Sequence, residues 1–206
     1  MKFELFKLFP ETIGTYLIPY DKKNDFFTKK LTFRETDESK EKEIATGSFI
    51  SNDLYVLNKN KLLKNKLLKF VNHFIKEELG FNFNVKITTS WGTKILPQGF
   101  STEHAHSLSF YSGVYYPCIT ENLYNIKFVK KEHDFFIPSY YVKHFNYINN
   151  ECIFSVKYGT LLLFNSRLSH KIPKNKTNEI RYSLAFNIMP MGNVGNKNSD
   201  SHYYFK

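Results

Sequence analysis

Cysteine is scarce here: the 206 residues hold two, Cys118 and Cys152, with no C-x-x-C pair and no zinc-site spacing. This excludes a disulfide scaffold, and reduced thiols in a cytoplasmic protein are the expectation. Long apolar runs are missing too, and the N-terminal residues, with Lys2 and Glu4, contain no signal-like apolar core, so neither membrane insertion nor secretion is expected. No low-complexity tract or internal repeat is visible. Arginine is the rarest cationic residue: Arg34, Arg167 and Arg181 are its only occurrences, although Lys and Arg together number 29.

The formal charge of +10 and pI near 9.4 raise the possibility of nucleic-acid binding. It is not favoured, because no recognised module accompanies the charge. Abundant Lys, Asn, Ile, Phe and Tyr fit an AT-biased coding source without a selected basic surface. That bias makes the arginines informative. A planar fork is required where a carboxylate is gripped in two places, and Lys does not replace it there.

At this length the chain fits one domain with one sizeable core. A hydrophobic fraction of 42% and an aromatic fraction of 17% point to a mainly β, α+β globular protein. One long helix is expected over residues 58–79. Leu63, Leu67, Phe70, Val71, Phe74 and Ile75 recur there at three- and four-residue spacings, and Gly80 supplies a stop. Phe81, Phe83, Val85 and Ile87 then alternate as a strand does. Further strands are expected at 109–116, 126–129, 135–137, 152–156, 160–164 and 181–188, a pattern suited to a barrel or double-sheet jelly roll. Residues 2–8 read as an edge strand and the charge run 37–43 as a solvated loop. The aromatic segment 134–150 reads as a packed connection or a lid, and 191–206 as a flexible tail whose closing residues can dock back. Residues 1–84 would thus support a core at 85–190.

Two stretches carry chemistry. Residues 98–116, QGFSTEHAHSLSFYSGVYY, set His104 and His106 two apart, on one face if the backbone is extended, and two neutral imidazoles on one face can hold a divalent metal. Residues 159–187 run through an apolar strand, a Ser/Asn turn, His170 and a Pro/Lys/Asn loop to a strand opening with Arg181. Ser183 shares the face of Arg181, so a guanidinium fork and a hydroxyl are offered to one carboxylate.

Together these motifs resemble the iron(II) and 2-oxoglutarate-dependent oxygenases. They are most similar to a subfamily common in phage and marine bacterial sequences, with an H-x-H, H and R-x-S order. The matches are Ser90-Trp91, His104 and His106, Ser112-Gly113-Val114-Tyr115-Tyr116, the segment from Phe164 to His170, and Arg181-Tyr182-Ser183-Leu184-Ala185-Phe186-Asn187. The resemblance covers residues 85–190 and implies a double-stranded β-helix, the cupin-like jelly roll. It also implies iron(II) held by His104, His106 and His170, with His106 where the superfamily usually has a carboxylate. Glu103 and Asp134 rank below His106 as ligands, Glu103 because it faces away from His104. Arg181 and Ser183 would pin the distal carboxylate of 2-oxoglutarate, and Tyr115 or Tyr116 would contact it. Trp91 reads as structural. The implied activity is that of a dioxygenase, coupling decarboxylation of 2-oxoglutarate to succinate with dioxygen-dependent hydroxylation of a small-molecule or peptidyl substrate. Alternatives are a non-catalytic metal-binding jelly-roll protein and a basic nucleic-acid-associated protein.

Overall fold

A computed structural model describes residues 11–36, 46–130 and 151–206. The expected edge strand at 2–8, the charge run 37–43, the strand at 135–137, the aromatic segment 134–150 and Asp134 lie outside them.

The helix forms where the spacing of apolar residues requires. Helix α2 (Lys61–His73) is capped by Asn60, whose side chain accepts from the Leu63 amide at 3.1 Å. It buries Leu63, Leu67 and Val71 on one stripe. A π turn over Phe74–Glu78 follows, burying Phe74 and Ile75, and the chain reverses at Gly80 with φ 74°. A short 3-10 turn, Val56–Lys59, leads into the helix. Ahead of it come β1 (Ile13–Leu17), α1 (Lys22–Lys29), β2 (Phe33–Glu35) and β3 (Ser48–Ser51).

The remaining chain is β. Strands β4 (Asn84–Ile95), β5 (Tyr111–Tyr115), β6 (Tyr124–Val129), β7 (Glu151–Val156), β8 (Thr160–Asn165), β9 (Ser169–Lys171), β10 (Arg181–Val194) and β11 (Tyr203–Phe205) follow in order. The large sheet has the order β1-β8-β5-β10-β4-β3-β2 with β11 added on β10, and the small sheet the order β7-β6-β9. All the strand pairs are antiparallel. The two sheets face each other as a jelly roll, the double-stranded β-helix architecture. The closing residues depart from the expected flexible tail. Strand β10 continues to Val194, and β11 returns to pair Tyr203–Phe205 with residues 192–194.

Two apolar cores result from the period-2 alternation of the large sheet. Tyr111, Tyr115, Leu161, Leu163, Leu184 and Phe186 face α2 in the first. Val114, Tyr116, Leu162, Phe164 and Ala185 face the small sheet in the second, against Tyr124, Ile126, Phe128 and Val156. Gly113 is what the tight packing of the first core demands: a Cβ there would lie 2.3 Å from the Phe186 ring. The inner face of the second core opens into the cavity that holds the candidate site.

Candidate active site

The imidazoles are brought together by backbone pairing between two distant segments. The amide of His104 donates to the His170 carbonyl at 3.0 Å, and the amide of His170 returns a bond to His104 at 2.9 Å. Two residues on, the His106 amide donates to the Ser166 carbonyl at 2.9 Å, pinning the H-x-H segment to the corner between β8 and β9. Candidate ligand atoms of His104, His106 and His170 therefore lie within 4.8 Å of one another.

The donor chemistry fits a metal. His104 Nδ1 stands 3.0 Å from the Thr102 carbonyl and His170 Nδ1 stands 2.9 Å from that of Leu168. A carbonyl only accepts, so each Nδ1 donates its proton there and Nε2 is the ring atom left to meet a metal, the arrangement of a metal-ligating histidine. Burial first, then the neighbouring His104, lowers the pKa of His106 to about 4 and that of His170 to about 3. Both rings are neutral at pH 7, and no proton has to leave before a cation binds. Glu103 faces outward: its carboxylate accepts from Ser169 Oγ at 2.8 Å and lies 3.9 Å from Lys171 Nζ. Among the described residues the histidine trio contains no carboxylate.

The same cavity, about 280 Å³, holds the second half of the site. Arg181 opens β10 and is only 2% exposed. One terminal nitrogen donates to the Asn125 carbonyl at 2.9 Å and the other to Tyr116 Oη at 2.8 Å. Its Nε has no partner, and among the described residues Arg181 makes no ion pair. A buried guanidinium left without an anion is an unbalanced charge. Supplying a carboxylate from a ligand would balance it. Ser183, two residues on and likewise buried, shares a hydroxyl contact with Thr93 and lines the cavity.

Strand alternation separates the two tyrosines. Tyr116 lines the cavity under Arg181, whereas Tyr115 points into the opposite core. Burial raises the Tyr115 phenol to about 12. Trp91, read from the sequence as structural, also lines the cavity, its ring 5.5 Å from that of His106. Ser48, Phe49 and Ile50 of β3 supply another wall. A four-residue strand with a single alternation gives little signal in the sequence.

Residues 89–187 match the family model described as "Putative 2OG-Fe(II) oxygenase". No curated protein matches the chain by sequence. Among solved structures, the chain is similar to an oxidoreductase of the 2OG-Fe(II) oxygenase family from Burkholderia pseudomallei. That likeness is at 14% identity over 85% of this chain and 84% of that one, with a TM-score of 0.57. It is also similar to HygX from Streptomyces hygroscopicus, solved with nickel and 2-oxoglutarate bound, at 12% identity over 87% and 83%, TM-score 0.58. A third is the non-heme alpha-ketoglutarate-dependent epimerase SnoN from nogalamycin biosynthesis, at 9% identity over 92% and 81%, TM-score 0.58. At such identities the likeness is one of fold. The matched segment, residues 89–187, contains all three imidazoles, Arg181 and Ser183, and is similar to the 2OG-Fe(II) oxygenases that the model describes.

Proposed function

We propose that the chain is an iron(II)- and 2-oxoglutarate-dependent hydroxylase in which His104, His106 and His170 hold the metal and Arg181 anchors the co-substrate. The observation that carries this reading is one cavity with two complementary needs: three imidazoles whose candidate ligand atoms lie within 4.8 Å of one another, and a buried guanidinium without an anion among the described residues. Iron(II), when bound, supplies the redox centre at which dioxygen converts 2-oxoglutarate to succinate and carbon dioxide while a substrate C–H bond is hydroxylated.

The residues divide the remaining work. Arg181 presents its fork to the distal carboxylate of 2-oxoglutarate, oriented by its bonds to Asn125 and Tyr116, while Ser183 offers a hydroxyl on the same strand face. Fixing that end directs the keto-acid end of the molecule toward the imidazoles. Val114, Ile126, Ile172 and Ala185 line the space between with apolar surface, which excludes water and strengthens the charge pairing. His106 stands in place of the common carboxylate, leaving the centre one unit more positive than a two-His, one-carboxylate site.

The test is succinate production under air from purified protein, iron(II), ascorbate and 2-oxoglutarate, quantified by mass spectrometry. The reading predicts succinate above a no-iron control and none from Arg181→Ala. Equal succinate with and without iron, or from the variant, would sink it.

A further inference from the structure

Three residues of the sequence motifs have no part in holding metal or co-substrate: Ser112, Ser166 and Asn187. They meet in one buried network. Ser166 Oγ lies 2.8 Å from Ser112 Oγ and 2.9 Å from Ser109 Oγ, Ser112 Oγ donates to Asn187 Oδ1 at 3.1 Å, and Asn187 Nδ2 donates to Thr89 Oγ1 at 3.0 Å. Ser166 is fully buried and Ser112 is 2% exposed. The network joins β4, β5 with the residues leading into it, β10 and the corner after β8.

The proton count gives the network a direction. Each hydroxyl has one proton. That of Ser109 goes to the Tyr111 carbonyl at 2.8 Å, and that of Ser112 goes to Asn187. Ser166 must then be the donor, shared between Ser109 and Ser112, and every hydroxyl proton except that of Thr89 is placed. The β-bulge in the β10–β4 pairing supports the same point. The register shifts between Phe186 and Ile188, which leaves Thr88 and Thr89 together opposite Asn187 and brings Thr89 within reach of its amide.

Ser166 is also the residue whose carbonyl receives the His106 amide. Of the three imidazoles, His104 and His170 have a ring nitrogen tied to a backbone carbonyl, and His106 has no such bond among the described contacts. Its ring is held by packing, stacked on His170 at 5.1 Å and against Trp91 at 5.5 Å. What fixes His106 is its backbone, and what fixes that backbone is Ser166.

We propose that Ser166, locked by Ser112 and Asn187, is a positioning residue for the metal site, setting His106 against the other two imidazoles. The inference rests on the reading of these histidines as ligands. Outer-shell partners of a ligand typically contribute about 10- to 100-fold to metal affinity. The test measures cobalt(II) affinity by chelator competition, with the visible cobalt spectrum as a second readout, in wild type, Ser166→Ala, Ser112→Ala and His170→Ala. Val156→Ala, a truncation in the core beside the cavity, controls for lost stability. Affinity falls about 10-fold or more in Ser166→Ala, and in the same direction in Ser112→Ala, with an altered cobalt spectrum. It stays within about twofold in Val156→Ala at an equal or larger drop in melting temperature. If Ser166→Ala does not fold, the comparison of Ser112→Ala with Val156→Ala decides. Wild-type affinity in both serine variants, or equal losses in the serine and valine variants, overturns the proposal and leaves the histidine assignment standing. Equal affinity in His170→Ala and wild type overturns the histidine assignment and the proposal with it.

Discussion

Replacing Arg181 with Lys keeps the positive charge and removes the fork, which isolates the role of geometry. Arg181 is 2% exposed and already uses one bond to Tyr116 and one to Asn125, so its remaining donors face a cavity whose other walls are mainly apolar or imidazole. A hydrogen bond to an ionised partner contributes about 1.5–3 kcal/mol. A single ammonium reproduces at most one of two such bonds and at a different angle. At about 1.4 kcal/mol per tenfold, the loss is about 10- to 100-fold in 2-oxoglutarate affinity. The variant also loses the bonds to Tyr116 and Asn125, at about 1 kcal/mol each. Binding measured well below the melting temperature keeps the protein folded and separates the two effects. The assay is anaerobic calorimetry with the metal present throughout. Affinity within threefold of wild type would refute the idea that a bidentate guanidinium anchors the diacid.

Three other outcomes follow from the same geometry. His106→Asp restores the carboxylate at the common third position, and iron(II) affinity by equilibrium dialysis is expected to persist or rise; loss of the metal would show that the site is tuned to a third imidazole. The lowered pKa values of His106 and His170 mean that the unfolded chain binds more protons than the folded one between about pH 6.5 and those values. Metal-free stability is thus fully present above pH 6.5 and falls as pH drops, at about 1.4 kcal/mol per pH unit for each ring, and a His170→Asn variant should show a shallower decline in denaturant titrations. Gly113→Ala drives a methyl into the Phe186 ring, where the nearest carbon would be at 2.3 Å, and should cost about 1–3 kcal/mol or more in urea unfolding, against nearly none if the ring can turn aside.

How far the sequence could be read depended on the range of the forces involved. Helix α2 was legible because Leu63, Leu67 and Val71 repeat locally and Gly80 marks the stop; its start at Lys61, set by the Asn60 cap, lies three residues later than expected. The long strand β10 was legible at its start, but its extension to Val194 was not, because pairing with β4 and β11 overrides the glycine at position 192. The N-terminal strands were missed: β1 is held by β8 and β3 by β4, partners more than forty residues away, and β2 is held in turn by β3. At the site, His104, His106 and His170 stood out by the H-x-H spacing and the order of the motifs, and Arg181 because arginine is scarce in this composition. The choice between Tyr115 and Tyr116 depended on strand phase, and the part played by Trp91 on the burial of its neighbours. Neither can be read without the register.

The most direct test is anaerobic titration of the metal-free protein with iron(II) and then 2-oxoglutarate, followed by visible absorption. Chelation of iron by the keto acid gives a metal-to-ligand charge-transfer band. The account predicts one iron per chain and a band that saturates at one equivalent of 2-oxoglutarate. Iron that does not bind stoichiometrically, or binds without any band on adding the keto acid, would contradict it.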